Sequence, residues 1–146
     1  MVKRSAIGKY SRKHRRSGAV INEAIRREFL RRGLTGKLPC AIAFDICAAL
    51  GVSPREVGQT ADLMDLPLVK CQLGLFGYAP RKKIVSPLPV VDAPMKQAIE
   101  AELKDDRLAC KTAWQIAEDL GVHKLKIARA CETLHVKIAP CQLGAF

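Results

Sequence analysis

The sequence predicts a mainly helical protein of two tandem three-helix units, each followed by short β-strands, with a basic arm in front of the first unit. Three observations support this fold class. The 146-residue chain contains an internal repeat, because residues 38–76 align without a gap on residues 108–146 at a constant offset of 70. Apolar residues recur at helical spacing within each copy and ahead of it. The extended runs are short and lie close to glycines.

The matched positions of the repeat indicate which residues build the unit. They are Cys40/Cys110, Ala43/Ala113, Ile46/Ile116, Leu50/Leu120, Gly51/Gly121, Val52/Val122, Phe76/Phe146 and the closing Cys-Gln-Leu-Gly of residues 71–74 and 141–144. Matched residues of such a repeat belong to its construction, so the unmatched residues are the ones available for function.

Each copy of the repeat is preceded by a predicted helix. The first covers residues 21–32, with an apolar stripe at Ile21, Ala24, Ile25 and Phe29 and a stop at Gly33. The second covers residues 94–104, with Asp92 and Pro94 as start signals and Met95, Ala98, Ile99 and Leu103 as its stripe. The offset of 70 places these two helices in corresponding positions.

Two further helices are predicted inside each copy. Their first stripes are Ala43, Ile46, Cys47 and Leu50 in copy one and Ala113, Ile116, Ala117 and Leu120 in copy two, ending at Gly51 and Gly121. In copy one the next helix begins at a capping box, Ser53-Pro54-Arg55-Glu56. Its inward positions Val57, Ala61 and Met64 match Ile127, Cys131 and Leu134. Residues 68–73 and 136–138 then predict short strands.

A proline-containing linker is predicted between the copies, over residues 77–91. It contains a basic triplet, Arg81–Lys83, and room for one short strand at Ile84-Val85. The predicted organisation is a basic extended arm over residues 1–18, a first repeat over 19–76, the linker over 77–91 and a second repeat over 92–146.

The net charge of +11 is concentrated ahead of the first repeat. Residues 1–37 hold twelve Lys and Arg against two Glu, a net +10. The arm cations are Lys3, Arg4, Lys9, Arg12, Lys13, Arg15 and Arg16. Like charges at this density repel one another and favour an extended segment with a polyanionic partner. A purely solubilising tail is the alternative, although solubility does not need charge of one sign in one place.

No apolar run is long enough to span a membrane, and the charged start of the chain does not fit a signal peptide. We therefore expect a cytoplasmic protein with no membrane partner. The sequence contains no Gly-rich phosphate loop, HExxH motif or nucleophilic serine elbow, so we expect no enzymatic activity.

A helix, a Gly-Val turn and a capped helix, present in both copies, resemble the helix-turn-helix of DNA-binding transcription regulators, particularly winged-helix types. The resemblance covers about 20–25 residues in each copy. It implies that the second helix enters the major groove and that its early residues reach bases and phosphates. The Cys-Gln-Leu-Gly element that follows belongs to no family pattern that we can assign.

The two candidate groove-reading helices differ in charge. Copy two carries His123, Lys124, Lys126 and Arg129, which suit a groove lined by phosphates. Copy one carries Arg55, Glu56, Gln59, Thr60, Asp62 and Asp65; its carboxylates are repelled by phosphates, although Gln59 and Thr60 could read bases. We expect copy two to read nucleic acid and copy one to serve packing or dimerisation, with a homodimer as an open alternative. An ordinary solvated helix face is the other interpretation of the copy-two cations.

Four of the six cysteines, Cys40, Cys71, Cys110 and Cys141, are duplicated. Three interpretations stay open: buried packing, a redox pair within each repeat, and ligation of zinc or an iron–sulfur cluster by these four. Cys110, Cys131, His135 and Cys141 form an alternative ligand set, since Cys131 and His135 have i, i+4 spacing. No close Cys-x-x-Cys pair supports a metal, so we expect no cofactor.

The sequence thus favours a non-enzymatic DNA-binding protein acting in transcription regulation. The predicted contacts are the arm, the copy-two helix and four arginines of the first helix, Arg26, Arg27, Arg31 and Arg32. Two alternatives stay open: an RNA- or ribosome-associated basic protein, and a metal- or redox-sensing interaction module that uses the duplicated cysteines.

Overall fold

The computed structural model describes residues 19–146, and the chain divides into two units with the boundary between Val69 and Lys70. The first unit contains α1 (Glu23–Arg31), β1 (Leu38–Pro39), α2 (Cys40–Leu50), α3 (Pro54–Leu63) and β2 (Leu68–Val69). The second contains α4 (Ala93–Ala101), β3 (Arg107–Leu108), α5 (Cys110–Leu120), α6 (Lys124–Thr133) and β4 (Lys137–Ile138). The prediction of a mainly helical chain with a few short strands is confirmed.

Each unit packs its three helices against one another around a small apolar core. In the first unit the core includes Ile25, Phe29, Ile46 and Val57, all with no exposed surface. The counterparts in the second unit are also buried, namely Met95, Ile99, Ile116 and Ile127. The predicted stripes therefore face inward, although at their ends Leu50 is only half-buried and Leu120 is exposed.

Tight turns between the helices depend on left-handed glycines. Gly51 has φ 65° and Gly121 has φ 64°, and each ends the helix before it. A residue with a Cβ is strained at such angles, which explains why both copies place glycine there. Three residues later the next helix of each copy begins.

The strands pair in parallel, β1 with β2 and β3 with β4. The registers correspond between the copies, because Leu38 lies opposite Leu68 and Leu108 lies opposite Ile138. Each ladder is two residues long, so the predicted strand over residues 68–73 is too long, and Ile84-Val85 forms no strand. Parallel neighbours need a crossover between them, and the two helices of each copy supply it.

The Cys-Gln-Leu-Gly elements form matching closed loops instead of continuing the strands. In the loop of residues 71–76, the Cys71 N–H donates to the Phe76 carbonyl (3.2 Å). In the loop of residues 141–146, the Cys141 N–H donates to the Phe146 carbonyl (2.7 Å). Both loops belong to the second unit. Their phenyl rings meet edge to face with centroids 5.7 Å apart; Phe76 packs against the core of the second unit, while Phe146 is 40% exposed.

Residues 71 and 73 pack in the core of the second unit. Cys71 and Leu73 are buried there together with Met95, Ile99 and Leu108. The segment that the repeat alignment gives to copy one therefore completes the core around copy two. Within residues 19–146 the longest helices are too short to cross a bilayer.

Candidate nucleic-acid interface

Helix α6 carries the candidate groove-reading residues of copy two, with His123 at its N-cap. Its inner face is fixed by four buried residues, Ile127, Ala128, Ala130 and Cys131. This burial orients the remaining positions away from the core. His123 and Lys126 are exposed, while Lys124 and Arg129 are partly exposed. The structure thus places all four predicted residues of this helix at the surface.

The first half of α6 lines an open pocket of about 610 Å³. Its lining residues are Gln72, Leu88, His123, Lys124, Leu125, Lys126 and Arg129. Among these lining residues three are lysine or arginine and none is acidic. Fixed charges of one sign around a concave surface attract anions, since the low-dielectric wall concentrates their field.

The amino terminus of α6 strengthens this positive field. His123 occupies the N-cap position without making a side-chain cap, and no acidic residue lies in the first turn. The backbone N–H groups of a helix start are partly positive and normally attract an acceptor. An anion at this end would therefore meet both the helix amides and the side chains of Lys124 and Lys126.

Lys124 is held over the ring of Trp114 on α5, with its Nζ 4.5 Å from the ring centroid. A cation over an aromatic face at this distance gains about 0.5–1 kcal/mol at an exposed site. The contact restricts the lysine without neutralising its charge. Lys124 therefore offers a positioned positive charge at the first turn of α6.

Arg129 has a different environment from the two lysines. Its Nε donates to the Ser86 carbonyl (3.0 Å) and its Nη2 lies 3.4 Å from the Pro87 carbonyl. The guanidinium thus uses two of its donors on the backbone of the linker. The prediction placed Arg129 directly on nucleic acid, and the observed contacts indicate that it also binds this segment of the chain.

Helix α3 of copy one is arranged unlike α6. Its start is closed by the predicted capping box, in which the Ser53 Oγ accepts from the Glu56 N–H (3.2 Å) and the Glu56 carboxylate accepts from the Ser53 N–H (3.1 Å). Glu56 also brings negative charge to the first turn. The helix end that is open and cationic in copy two is therefore capped and acidic in copy one.

Two of the polar residues considered for groove reading by α3 are buried. Thr60 is 1% exposed and Asp62 is 5% exposed. The Thr60 Oγ1 accepts from the Asn22 N–H (3.3 Å), just ahead of α1. The prediction that Thr60 could read bases is wrong, because its hydroxyl serves the packing of α1 against α3.

The arginines of α1 are largely engaged by neighbouring glutamates. Arg26 pairs with Glu23 (3.3 Å), and Arg31 and Arg32 both pair with Glu28 (2.8 and 3.0 Å). The hydrogen bonds from Arg31 and Arg32 lower the pKa of Glu28 to about 2. Arg27 is exposed and forms no ion pair with the described residues. These pairs leave α1 less attractive to phosphate than its sequence suggests.

The predicted arm contacts, Lys3, Arg4, Lys9, Arg12, Lys13, Arg15 and Arg16, lie outside the described residues. Their contribution therefore stays a prediction from charge alone.

The cysteine thiols are mostly buried, and no disulfide joins any two of the six within the described residues. Burial raises the pKa of Cys110 to about 11 and that of Cys131 to about 12. Thiols of this kind stay protonated at neutral pH and react slowly, which favours the packing interpretation. Across residues 19–146, no three His, Cys, Asp or Glu side chains are grouped as a metal site.

The alternative ligand pair Cys131 and His135 does not share a helical face. Helix α6 ends at Thr133, and His135 follows in a left-handed conformation with φ 56°. Cys131 is buried and His135 is exposed, so the spacing of four residues does not place the two side chains together on one face of a helix.

Part of the linker lies along α6, which the sequence did not predict. Its signal is the pair Arg129 and Thr133, which have Gln59 and Leu63 at the matching positions of copy one. Hydrogen-bond donors that occur on α6 and not on α3 indicate that only the second copy has acceptors for them. Which groups are those acceptors is seen only in the structure.

No protein-family model, curated protein or solved structure matches this chain.

Proposed function

We propose that the protein binds duplex DNA through the exposed amino-terminal half of α6, and that α5, the turn at Gly121 and α6 act as a helix-turn-helix. The observation that carries the proposal is the open pocket around the start of α6, which is lined by Lys124, Lys126 and Arg129 without a single carboxylate. Positive side chains beside the amides of a helix start are suited to phosphate oxygens.

The helical form of this surface favours DNA over RNA. The major groove of B-DNA is wide enough to admit an α-helix, and residues near the start of such a helix reach base edges and phosphates. The major groove of A-form RNA is deep and too narrow for this. A cationic helix end is therefore matched to duplex DNA, and binding to structured RNA is the competing outcome of the experiment.

The unequal copies support a division of labour. The first turn of helix α3 is capped and contains Glu56, so it would repel phosphates at the position where α6 attracts them. The charge of the basic arm adds a sequence-independent attraction to a polyanion. Regulation of transcription is the role that we propose for such a non-enzymatic binder.

The test is removal of the two lysines at the start of α6. We expect Lys124→Ala combined with Lys126→Ala to weaken binding to a mixed-sequence duplex. The slope of log affinity against log salt should become shallower by about 1.8, because two phosphate contacts are lost. Fluorescence anisotropy between about 50 and 200 mM salt measures both quantities.

A matched control removes the same charge from the same unit. Lys111 and Lys137 are exposed and do not line the pocket, so their double replacement by Ala should leave the slope close to that of the wild type. If both double variants changed the slope equally, the lysines of α6 would act only through the net charge of the protein, which would contradict the proposed interface. Tighter binding of a structured RNA than of the duplex would instead favour an RNA partner.

A further inference from the structure

The linker is held against α6 by polar contacts from three residues of the helix. Arg129 donates to the carbonyls of Ser86 and Pro87, and the Thr133 hydroxyl donates to the carbonyl of Leu88 (2.8 Å). Lys83 forms an ion pair with Glu132. Carbonyls in an irregular segment need donors, and α6 provides them to three successive residues of the linker.

The same segment is also tied to the loop of residues 71–76. The N–H groups of Ile84 and Val85 both point to the Gly74 carbonyl, at 2.9 and 3.3 Å. Tyr78 donates its hydroxyl to the Cys71 carbonyl (2.5 Å). The chain from Tyr78 to Val85 thus leaves this loop and returns to it.

Gly74 is the point where the loop, the linker and α6 meet. It has φ 74°, and a Cβ there would lie 2.8 Å from the Leu125 side chain and 3.0 Å from that of Ile84. Its counterpart Gly144 has φ 82° and open space around it. The two glycines share a left-handed backbone but differ in what surrounds them.

Two cations lie at the tip of the chain between these anchors. Arg81 and Lys82 are exposed and form no ion pair with the described residues. Lys82 is adjacent to Lys83, which α6 holds through Glu132, and consecutive Cα atoms are about 3.8 Å apart. The backbone of Lys82 therefore lies next to a residue that contacts α6, and Arg81 directly precedes it.

We propose that residues 81–88 form the second half of the nucleic-acid surface, in which Arg81 and Lys82 contact DNA phosphates while Arg129 acts as a positioning residue for the linker. This proposal rests on the proposed function of α6. It changes the role of Arg129 from a phosphate contact to the group that fixes the basic tip beside the helix.

The positioning role has a test that needs no nucleic acid. We expect the Ile84 and Val85 amides of the wild type to be protected from hydrogen exchange and to exchange at least about tenfold faster in Arg129→Ala. Arg129→Lys should resemble Arg129→Ala, because one ammonium cannot reproduce a planar guanidinium that spans two carbonyls. Unchanged protection in both variants would overturn the positioning role.

The glycines supply a second test of the same contacts. Gly74→Ala should speed exchange at Ile84 and Val85, whereas Gly144→Ala, with a similar positive φ, should not. Equal effects of the two replacements would mean that backbone strain alone, and not the meeting of linker and α6, decides the protection.

The phosphate contacts are tested by Arg81→Ala combined with Lys82→Ala, with duplex DNA across the same salt series. We expect the slope to become shallower by about 1.8 while the amides of Ile84 and Val85 stay protected. Arg129→Lys should bind as weakly as Arg129→Ala, although it keeps the charge. An unchanged slope in the Arg81, Lys82 variant would reject the basic tip while the α6 proposal stands, whereas an unchanged slope in the Lys124, Lys126 variant would reject α6 itself.

Discussion

Cys131 and Ala61 occupy matching positions of the two copies, and both are almost completely buried. The first copy shows that a methyl group is enough to build this helix contact, so the sulfur of Cys131 fills space that only the second unit has. Residues that differ between copies inside the core therefore change packing, whereas those that differ outside it, such as Arg129 and Gln59, change what the surface binds.

At this scale we predict the effect of Cys131→Ala on stability and on its pH dependence. The variant should lose about 1 kcal/mol at neutral pH, because a filled position becomes a small cavity. Burial raises the pKa of Cys131 to about 12, so its thiol stays protonated in the folded state while the unfolded thiol ionises near its ordinary value.

The stabilisation from this thiol is complete below about pH 8.5 and is lost as the pH rises toward the folded pKa. Between about pH 8.5 and 10 the unfolding free energy of the wild type should fall more steeply than that of Cys131→Ala, by up to about 1.4 kcal/mol per pH unit. Urea unfolding at several pH values measures this difference. Parallel pH profiles for the two proteins would show that the thiol is not shielded.

At the scale of the element, the two second helices show how one framework carries different chemistry. The inner faces of α3 and α6 bury corresponding residues, Val57 with Ile127 and Ala61 with Cys131. Their first turns are unlike, since α3 has a complete capping box and α6 has no side-chain cap. A cap stabilises a helix by satisfying amides that a phosphate would otherwise use.

We predict that giving α6 the cap of α3 separates stability from binding. His123→Ser combined with Lys126→Glu places the capping box at the start of α6 and should stabilise the protein by about 1 kcal/mol. DNA binding should nevertheless weaken strongly, because the helix amides are occupied and a negative charge replaces a positive one. Thermal unfolding and fluorescence anisotropy on the same samples measure the two effects.

Higher stability together with weaker DNA binding would exclude misfolding as the reason for the loss of affinity. The converse replacement on α3, Ser53→His with Glu56→Lys, is the matched control and should destabilise the protein without strengthening binding through α6. If the capped α6 variant bound DNA as tightly as the wild type, the start of this helix would not be part of the interface.

At the scale of the whole molecule, the boundary between the two units does not fall where the first copy of the repeat ends. The alignment of the copies extends to Phe76, yet the second unit begins at Lys70 and buries Cys71 and Leu73 in its core. Each copy is therefore a unit of sequence, while the second structural unit also uses the closing loop of the first copy.

We predict that a fragment of residues 70–146 unfolds cooperatively, whereas a fragment of residues 77–146 is much less stable. The shorter fragment lacks the buried side chains of Cys71 and Leu73 and the carbonyl of Gly74 that binds the linker, a loss of about 3 kcal/mol or more. Circular dichroism during heating measures the unfolding temperature of each fragment. Leu73→Ala in the longer fragment should give a temperature between those of the two fragments. Equal stability of the two fragments would place the boundary after residue 76.

The sequence by itself determined the helices, their turns and their inward faces, because apolar spacing, capping residues and left-handed glycines act within a few residues of one another. Ser53 with Glu56 and the paired Gly51 and Gly121 are examples that the structure bears out. It also indicated the charge difference between α3 and α6, because that difference depends only on which residues each helix contains.

Only the tertiary structure decided the parallel ladders, the burial of Thr60 and Asp62, and the partners of Arg129. These depend on contacts between residues far apart in the chain, and Arg129 lies 43 positions from Ser86. Local periodicity does not specify such contacts, because an exposed arginine has the same pattern whether it faces solvent, a phosphate or a backbone carbonyl. The position of the linker along α6 therefore comes from packing.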